Sequence, residues 1–223
     1  SPAVALPSGE SSFLTNDRPT PLSAYIDELR QARAKKDARL TGDKSPLHFT
    51  LDSAHVALAA RLFPHARIIV TTRAPVERAW SEIKLFGYRR VVDANIAATL
   101  TSAETPPWLT DTIEHSRYLK HLQTWAQHFG VQRMLLLQSE DFERNVHENC
   151  ARLFEWLEIE RPADTDVERL QQNWTNRTAN FPRSAALSAL LERACGDEIY
   201  TVEALSAALA AQPREHNRAP SIT

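Results

Sequence analysis

Two kinds of apolar run alternate along this chain. The first 21 residues are rich in Ser and Pro, show no periodicity, and predict an extended loop. Thr20-Pro21 supplies a cap with proline at the first helical position, and Leu22, Tyr25, Ile26 and Leu29 follow at helical spacing. Asp52 caps a second predicted helix, with Val56, Ala59 and Leu62 or Phe63 facing inward, which ends at Pro64. The run over 66–72 is β-branched, unbroken and flanked by Pro64 and Pro75, so it predicts a strand buried on both faces, as in a parallel sheet. A helix is predicted over 76–88, a weaker one over 93–100, and a long one over 111–129. In the long helix Tyr118, Leu122, Trp125 and Phe129 form one stripe, and Gly130 ends it. A second buried strand is predicted over 133–138, then a helix with Val146, Cys150, Leu153 and Leu157 on one face. After a polar loop over 173–183, two helices over 184–195 and 202–211 close the pattern. Helical crossovers between buried strands predict an α/β fold, a parallel sheet flanked by helices. Two strands are too narrow for a whole sheet, so a further strand is expected.

Composition narrows the class. At 223 residues the chain can bury a core unaided by metal or disulfides. The formal net charge of -2 argues against a dedicated nucleic-acid binder while leaving room for a local basic pocket. Cys150 and Cys195 are too few for a disulfide scaffold or a four-ligand zinc site. No apolar run is long enough to span a bilayer, and the opening residues carry no signal-peptide pattern. The start, Ser1-Pro2-Ala3-Val4, is unlike a natural one, and residues upstream of it are expected.

The chemistry concentrates in 70–81, Val-Thr-Thr-Arg-Ala-Pro-Val-Glu-Arg-Ala-Trp-Ser. Ligands of open α/β sheets gather beyond the carboxyl ends of strands, where Arg73 lies. Pro75 opens a helix whose free N–H groups point the same way, and such an end attracts anions. Arg78 and Ser81 share a face of that helix. An Arg fork, a helix start and a hydroxyl compose a phosphate clamp; the alternative is that Arg73 pairs with a carboxylate such as Glu77 and the rest is packing.

This segment resembles the 3′-phosphate-binding motif of sulfotransferases, strand–Arg–x–Pro–x–x–Arg–x–x–Ser. The resemblance implies that Arg73 and Ser81 grip the 3′-phosphate of 3′-phosphoadenosine 5′-phosphosulfate, with Arg78 as the second arginine. Ala74 stands where Asp or Asn is usual, which removes a cap. Upstream, 42–49 (Gly-Asp-Lys-Ser-Pro-Leu-His-Phe) resembles the Glu-Lys-Ser-Pro-x-Tyr-Phe segment of heparan sulfate sulfotransferases. The implied roles are general base for Asp43, donor binding or charge neutralisation for Lys44, and acceptor contact or an alternative base for His48. Read without the resemblance, Asp43 is a turn residue, Lys44 an exposed lysine and His48 a packed or surface side chain. The stretch 118–157 also resembles the family, including Ser139-Glu140-Asp141-Phe142 as a turn after the second strand. Its positions read mostly as core, Tyr118 among them. In the loop over 173–183, Arg177 is the candidate to close over the 3′-phosphate; the alternative is a surface loop.

The family's Pro-Lys-x-Gly-Thr-Thr-like loop, which holds the 5′-phosphosulfate, has no counterpart in these residues, and only 5 glycines are present. The resemblance begins one β–loop–α unit late, and that unit is expected to precede Ser1. The implied whole is a single sulfotransferase domain over 1–223, incomplete at its N-terminal side. It would move a sulfuryl group to a carbohydrate or small-molecule acceptor and release adenosine 3′,5′-bisphosphate. The reaction so implied requires no metal, and the charge balance and apolar runs above predict no nucleic-acid partner and no membrane segment in this chain. A cytoplasmic location is expected, or a Golgi-luminal one if an upstream anchor exists. The rivals are a sulfotransferase-like domain that only binds nucleotide and a P-loop kinase-like phosphotransferase, the latter lacking a Walker-type loop here.

Overall fold

The computed structural model describes residues 3–8, 13–14, 21–87, 107–172 and 183–211. Within them β1 (Val4–Ala5) leads to α1 (Leu22–Lys36), β2 (Leu40–Thr41), a 3₁₀ turn (Pro46–Thr50) and α2 (Ser53–Leu62). Then come β3 (Ile68–Thr72), α3 (Pro75–Glu82) and a π-turn (Ile83–Gly87). α4 (Pro107–Glu114) and α5 (Tyr118–Phe129) precede β4 (Met134–Gln138). The rest is helical: α6 (Ser139–Arg144), α7 (Val146–Trp156), α8 (Asp164–Gln172), α9 (Ala185–Cys195) and α10 (Val202–Ala210). The fold is a helix-dominated α/β arrangement with parallel strands.

The strands form two parallel pairs. β1 pairs with β2, Val4 opposite Leu40. β3 pairs with β4, from Ile68 opposite Met134 to Thr72 opposite Gln138. The opening segment, expected as loop throughout, thus contributes a strand. Main-chain pairing decided this, because Leu40 N–H donates to Ala3 and Gly42 N–H to Ala5, whatever the side chains. β4 is buried at Leu135, Leu136 and Leu137 as expected, but β3 alternates, with Val70 and Thr72 buried and Ile69 43% exposed. One face of β3 is therefore open where the unbroken apolar run predicts cover.

α5 sits at the centre. Tyr118 and Leu122 pack with Val70 and Leu136 of the sheet and with Leu205 and Leu209 of α10. Farther along, Trp125 and Phe129 pack with Val56 and Ala59 of α2. The predicted stripe is thus buried along its whole length. Gly130 ends the helix at φ +79, a conformation that L side chains avoid, and a Cβ there would come within 2.5 Å of the Gln132 side chain. A second core joins Val76, Ala79, Trp80 and Ile83 to Leu109 of α4 and Leu187, Leu191 and Cys195 of α9.

Two helix predictions and one turn prediction change. The helix expected over 111–129 is two, broken at 115–117. There Ser116 N–H reaches Ile113, Arg117 N–H reaches Glu114 and Tyr118 N–H reaches Ser116, a ladder too tight to continue as α-helix. The helix expected over 76–88 stops at Glu82 and widens into the π-turn. The turn expected at Ser139–Phe142 starts α6 instead. α8 was not predicted, since Val167 is the one buried apolar side chain described in it. The weak helix over 93–100 lies outside the described residues.

Candidate active site

The base candidate stands just beyond β2. Thr41 Oγ1 donates to the carbonyls of Ala5 (2.9 Å) and Leu29 (3.3 Å), tying that strand to β1 and α1. Asp43 follows with both carboxylate oxygens engaged. Oδ1 accepts the Lys44 N–H at 2.7 Å, and Oδ2 accepts the Tyr25 hydroxyl at 3.2 Å. His48, in the 3₁₀ turn, brings Nε2 to 3.7 Å from Oδ2. Only 8% of the Asp43 side chain and 15% of the His48 side chain face solvent. The Lys44 residue is exposed. The structure therefore gathers Asp43 and His48 and turns Lys44 outward.

The phosphate-clamp candidate lies beyond β3. Arg73 N–H donates to the Tyr118 hydroxyl at 3.0 Å, and Ala74 N–H to Glu140 Oε1 at 2.9 Å. Both donors at the strand end are thereby used. α3 then opens at Pro75, and with Arg78 N–H on the Ala74 carbonyl, its remaining first-turn N–H groups belong to Val76 and Glu77. The Arg73 residue is exposed, and among the described residues its guanidinium makes no hydrogen bond or ion pair. Glu77, the alternative partner named from the sequence, pairs with Arg183 at 3.0 Å instead. Ser81 is half-buried on α3.

Arg78 is occupied differently. Its Nε donates to Ser116 Oγ at 2.7 Å, while its two terminal nitrogens reach Glu82 and the Thr112 carbonyl. His115 adds Nδ1 at 3.0 Å from Glu82 Oε1. Burial works against the Glu82 carboxylate, but His115 and Arg78 outweigh it and hold its pKa below the ordinary 4.5. Arg78 and Ser81 share a helix, yet Arg78 spends its donors on the α4–α5 junction. Arg177 lies outside the described residues.

One helix connects the two candidates. Trp125 Nε1 of α5 donates to the Phe49 carbonyl at 3.2 Å. The Phe49 ring lies 5.7 Å from that of Tyr118 and 5.1 Å from that of His121. Tyr118 in turn holds Arg73 N–H. Burial pushes the Tyr118 hydroxyl up to about 12, so it stays neutral at physiological pH. Glu140 falls in a segment read from the sequence as a turn with no chemistry assigned to it, and the register could have found its contact. Thr72 opposite Gln138 puts 74 and 140 level, two steps beyond each strand. Its bond fixes the Ala74 N–H at the start of α3 and leaves the Val76 and Glu77 N–H groups without a side-chain cap.

A profile of the sulfotransferase family matches residues 15–164. Among curated proteins, the chain is 29% identical over 138 residues to the bifunctional heparan sulfate N-deacetylase/N-sulfotransferase 1 of Caenorhabditis elegans, covering 57% of this chain and 16% of that protein. It is 26% identical over 185 residues to human heparan sulfate glucosamine 3-O-sulfotransferase 3B1, covering 81% of this chain and 45% of that protein. The chain thus spans less than half the length of either relative. In fold it is similar to the crystal structure of a sulfotransferase from Alicyclobacillus acidocaldarius, with TM-score 0.59, 16% identity, and coverage of 92% and 90% of the two chains.

Proposed function

The chain belongs to the sulfotransferase family, and from that premise we propose that it moves a sulfuryl group from 3′-phosphoadenosine 5′-phosphosulfate to a hydroxyl (or amine) of a carbohydrate or small-molecule acceptor. The acceptor oxygen bonds to sulfur as the bond from sulfur to the bridging phosphate oxygen breaks. The acceptor proton passes to Asp43, and adenosine 3′,5′-bisphosphate leaves. Arg73, Ser81 and the open N–H groups of Val76 and Glu77 hold the 3′-phosphate, and Arg78 keeps α3 in place and adds positive charge. Lys44 offsets charge on the donor from the exposed side of the loop. His48, beside Asp43, contacts the acceptor.

The observation that carries this reading is the pair of anchors on α5, where Tyr118 holds the Arg73 turn and Trp125 holds the Phe49 carbonyl. Two loops distant in sequence thereby rest on one rigid helix, as a two-substrate reaction requires. The relatives named for heparan sulfate favour a glycan acceptor. A net charge of -2 favours a short acceptor over a long polyanion.

Titration calorimetry with adenosine 3′,5′-bisphosphate provides the test. Arg73→Ala is expected to weaken binding by about ten- to a hundredfold, the worth of a charge-assisted hydrogen bond. Asp43→Asn is expected to bind normally and lose about a hundred- to ten-thousandfold in sulfuryl transfer to glucosamine oligosaccharides. Stabilisation by ATP alone would favour a phosphotransferase. Tight binding without transfer to any acceptor in a broad panel would favour a nucleotide-binding domain.

A further inference from the structure

We propose that Tyr25 is a positioning residue whose hydroxyl aims the Asp43 carboxylate; this rests on the reading of Asp43 as the base. Tyr25 lies in the first turns of α1, where helical periodicity marks it as core and gives its hydroxyl no role. The ring is buried and clamped. It stacks on Phe13 with centroids 4.7 Å apart at 7°, and meets Phe63 edge-on at 5.9 Å. A side chain with two torsions, held on both sides, presents its hydroxyl in one direction. That direction is Asp43 Oδ2, 3.2 Å away.

The rest of the surroundings makes this contact decisive. Oδ1 is fixed by the Lys44 N–H, so Tyr25 supplies the side-chain bond that orients the other oxygen. Thr41 secures β2 to α1 through the Leu29 carbonyl, so hydroxyl and carboxylate ride on one unit. The titratable and charged groups about the pair are His48 from the 3₁₀ turn, Lys44 from the loop and Glu28 from α1. Burial first, then Asp43, raises the Tyr25 pKa, so the phenol keeps its proton and serves as donor throughout the working range. A base takes a proton along a hydrogen bond, so a carboxylate held in one orientation meets the acceptor hydroxyl in reacting geometry.

Tyr25→Phe keeps both ring contacts and removes only the hydroxyl. In the full chain, kcat with a glucosamine oligosaccharide as acceptor is expected to fall about tenfold in this variant, with the donor and acceptor KM unchanged. A 3-fluorotyrosine at position 25, a donor of nearly the same shape, is expected to keep the parent kcat and keeps the test open should Tyr25→Phe fold poorly. An unchanged kcat in a folded variant would overturn the proposal. Full transfer by Asp43→Asn would instead overturn the base reading, and the positioning role with it.

Discussion

At the residue scale, one hydroxyl does two jobs. Tyr118 belongs to the apolar stripe of α5, and its ring is core, packed with Leu122, Val70 and Leu136. Its oxygen emerges at the end of β3 and accepts the Arg73 N–H. Tyr118→Phe would leave that donor without its partner at the strand end. We expect a loss of about 1 kcal/mol, the net worth of one part-buried hydrogen bond, read as a lower urea midpoint at unchanged slope. The same variant should weaken adenosine 3′,5′-bisphosphate binding only modestly, because the Arg73 guanidinium remains. At Asp43 a backbone N–H and a phenol hold a side chain that composition alone reads as a turn residue and the family resemblance as the base.

At the element scale, the α4–α5 junction shows how a polar group redirects apolar periodicity. The stripe over Tyr118–Phe129 was legible because its spacing is helical and its side chains are buried. The break at 115–117 was not, because its cause lies on α3. The Arg78 guanidinium takes the Thr112 carbonyl and the Ser116 hydroxyl, and Ser116 is fully buried beneath it. Likewise β3, β4 and the Arg–x–Pro–x–x–Arg–x–x–Ser segment could be read locally. β1 and β2, two residues each and defined by main-chain pairing, could not, nor could the long-range bond from Tyr25 to Asp43. Glu82 ties the junction to pH. Its carboxyl sits below the ordinary 4.5 in the folded state, so its contribution is present above that value and lost as pH falls through the folded-state pKa. Glu82→Gln is expected to flatten the acid side of the stability–pH curve relative to the parent, with the two profiles differing by a constant near neutrality. Urea melts from pH 3 to 7 would show it, and parallel curves would refute it.

At the scale of the whole molecule, the two strand pairs are joined by a clasp at 156–158. Arg67, just before β3, reaches the Trp156 carbonyl and the Glu158 carboxylate, while Arg39, just before β2, donates to the Glu158 carbonyl at 3.0 Å. Glu158 itself adopts φ +57, a left-handed conformation that turns the chain after α7. Exposed ion pairs contribute little alone, so the main-chain bonds should dominate. Replacing both Arg39 and Arg67 by Ala is expected to speed hydrogen exchange of the Leu40 and Gly42 amides about fivefold, an opening cheaper by about 1 kcal/mol, with β4 amides unchanged. Uniform acceleration would mean that the clasp supports the fold as a whole. The bond from Ala74 to Glu140 has a consequence of another kind. The register of β3 against β4 is set on one face by the burial of Val70 and Thr72, while Ile69 and Thr71 on the other face are exposed and add nothing to it. A slide of one step would carry residue 74 past residue 140 and forfeit their bond, so Glu140 works as a latch against slippage. The position of the first turn of α3, and with it any anion seated there, is thereby indexed to the neighbouring strand.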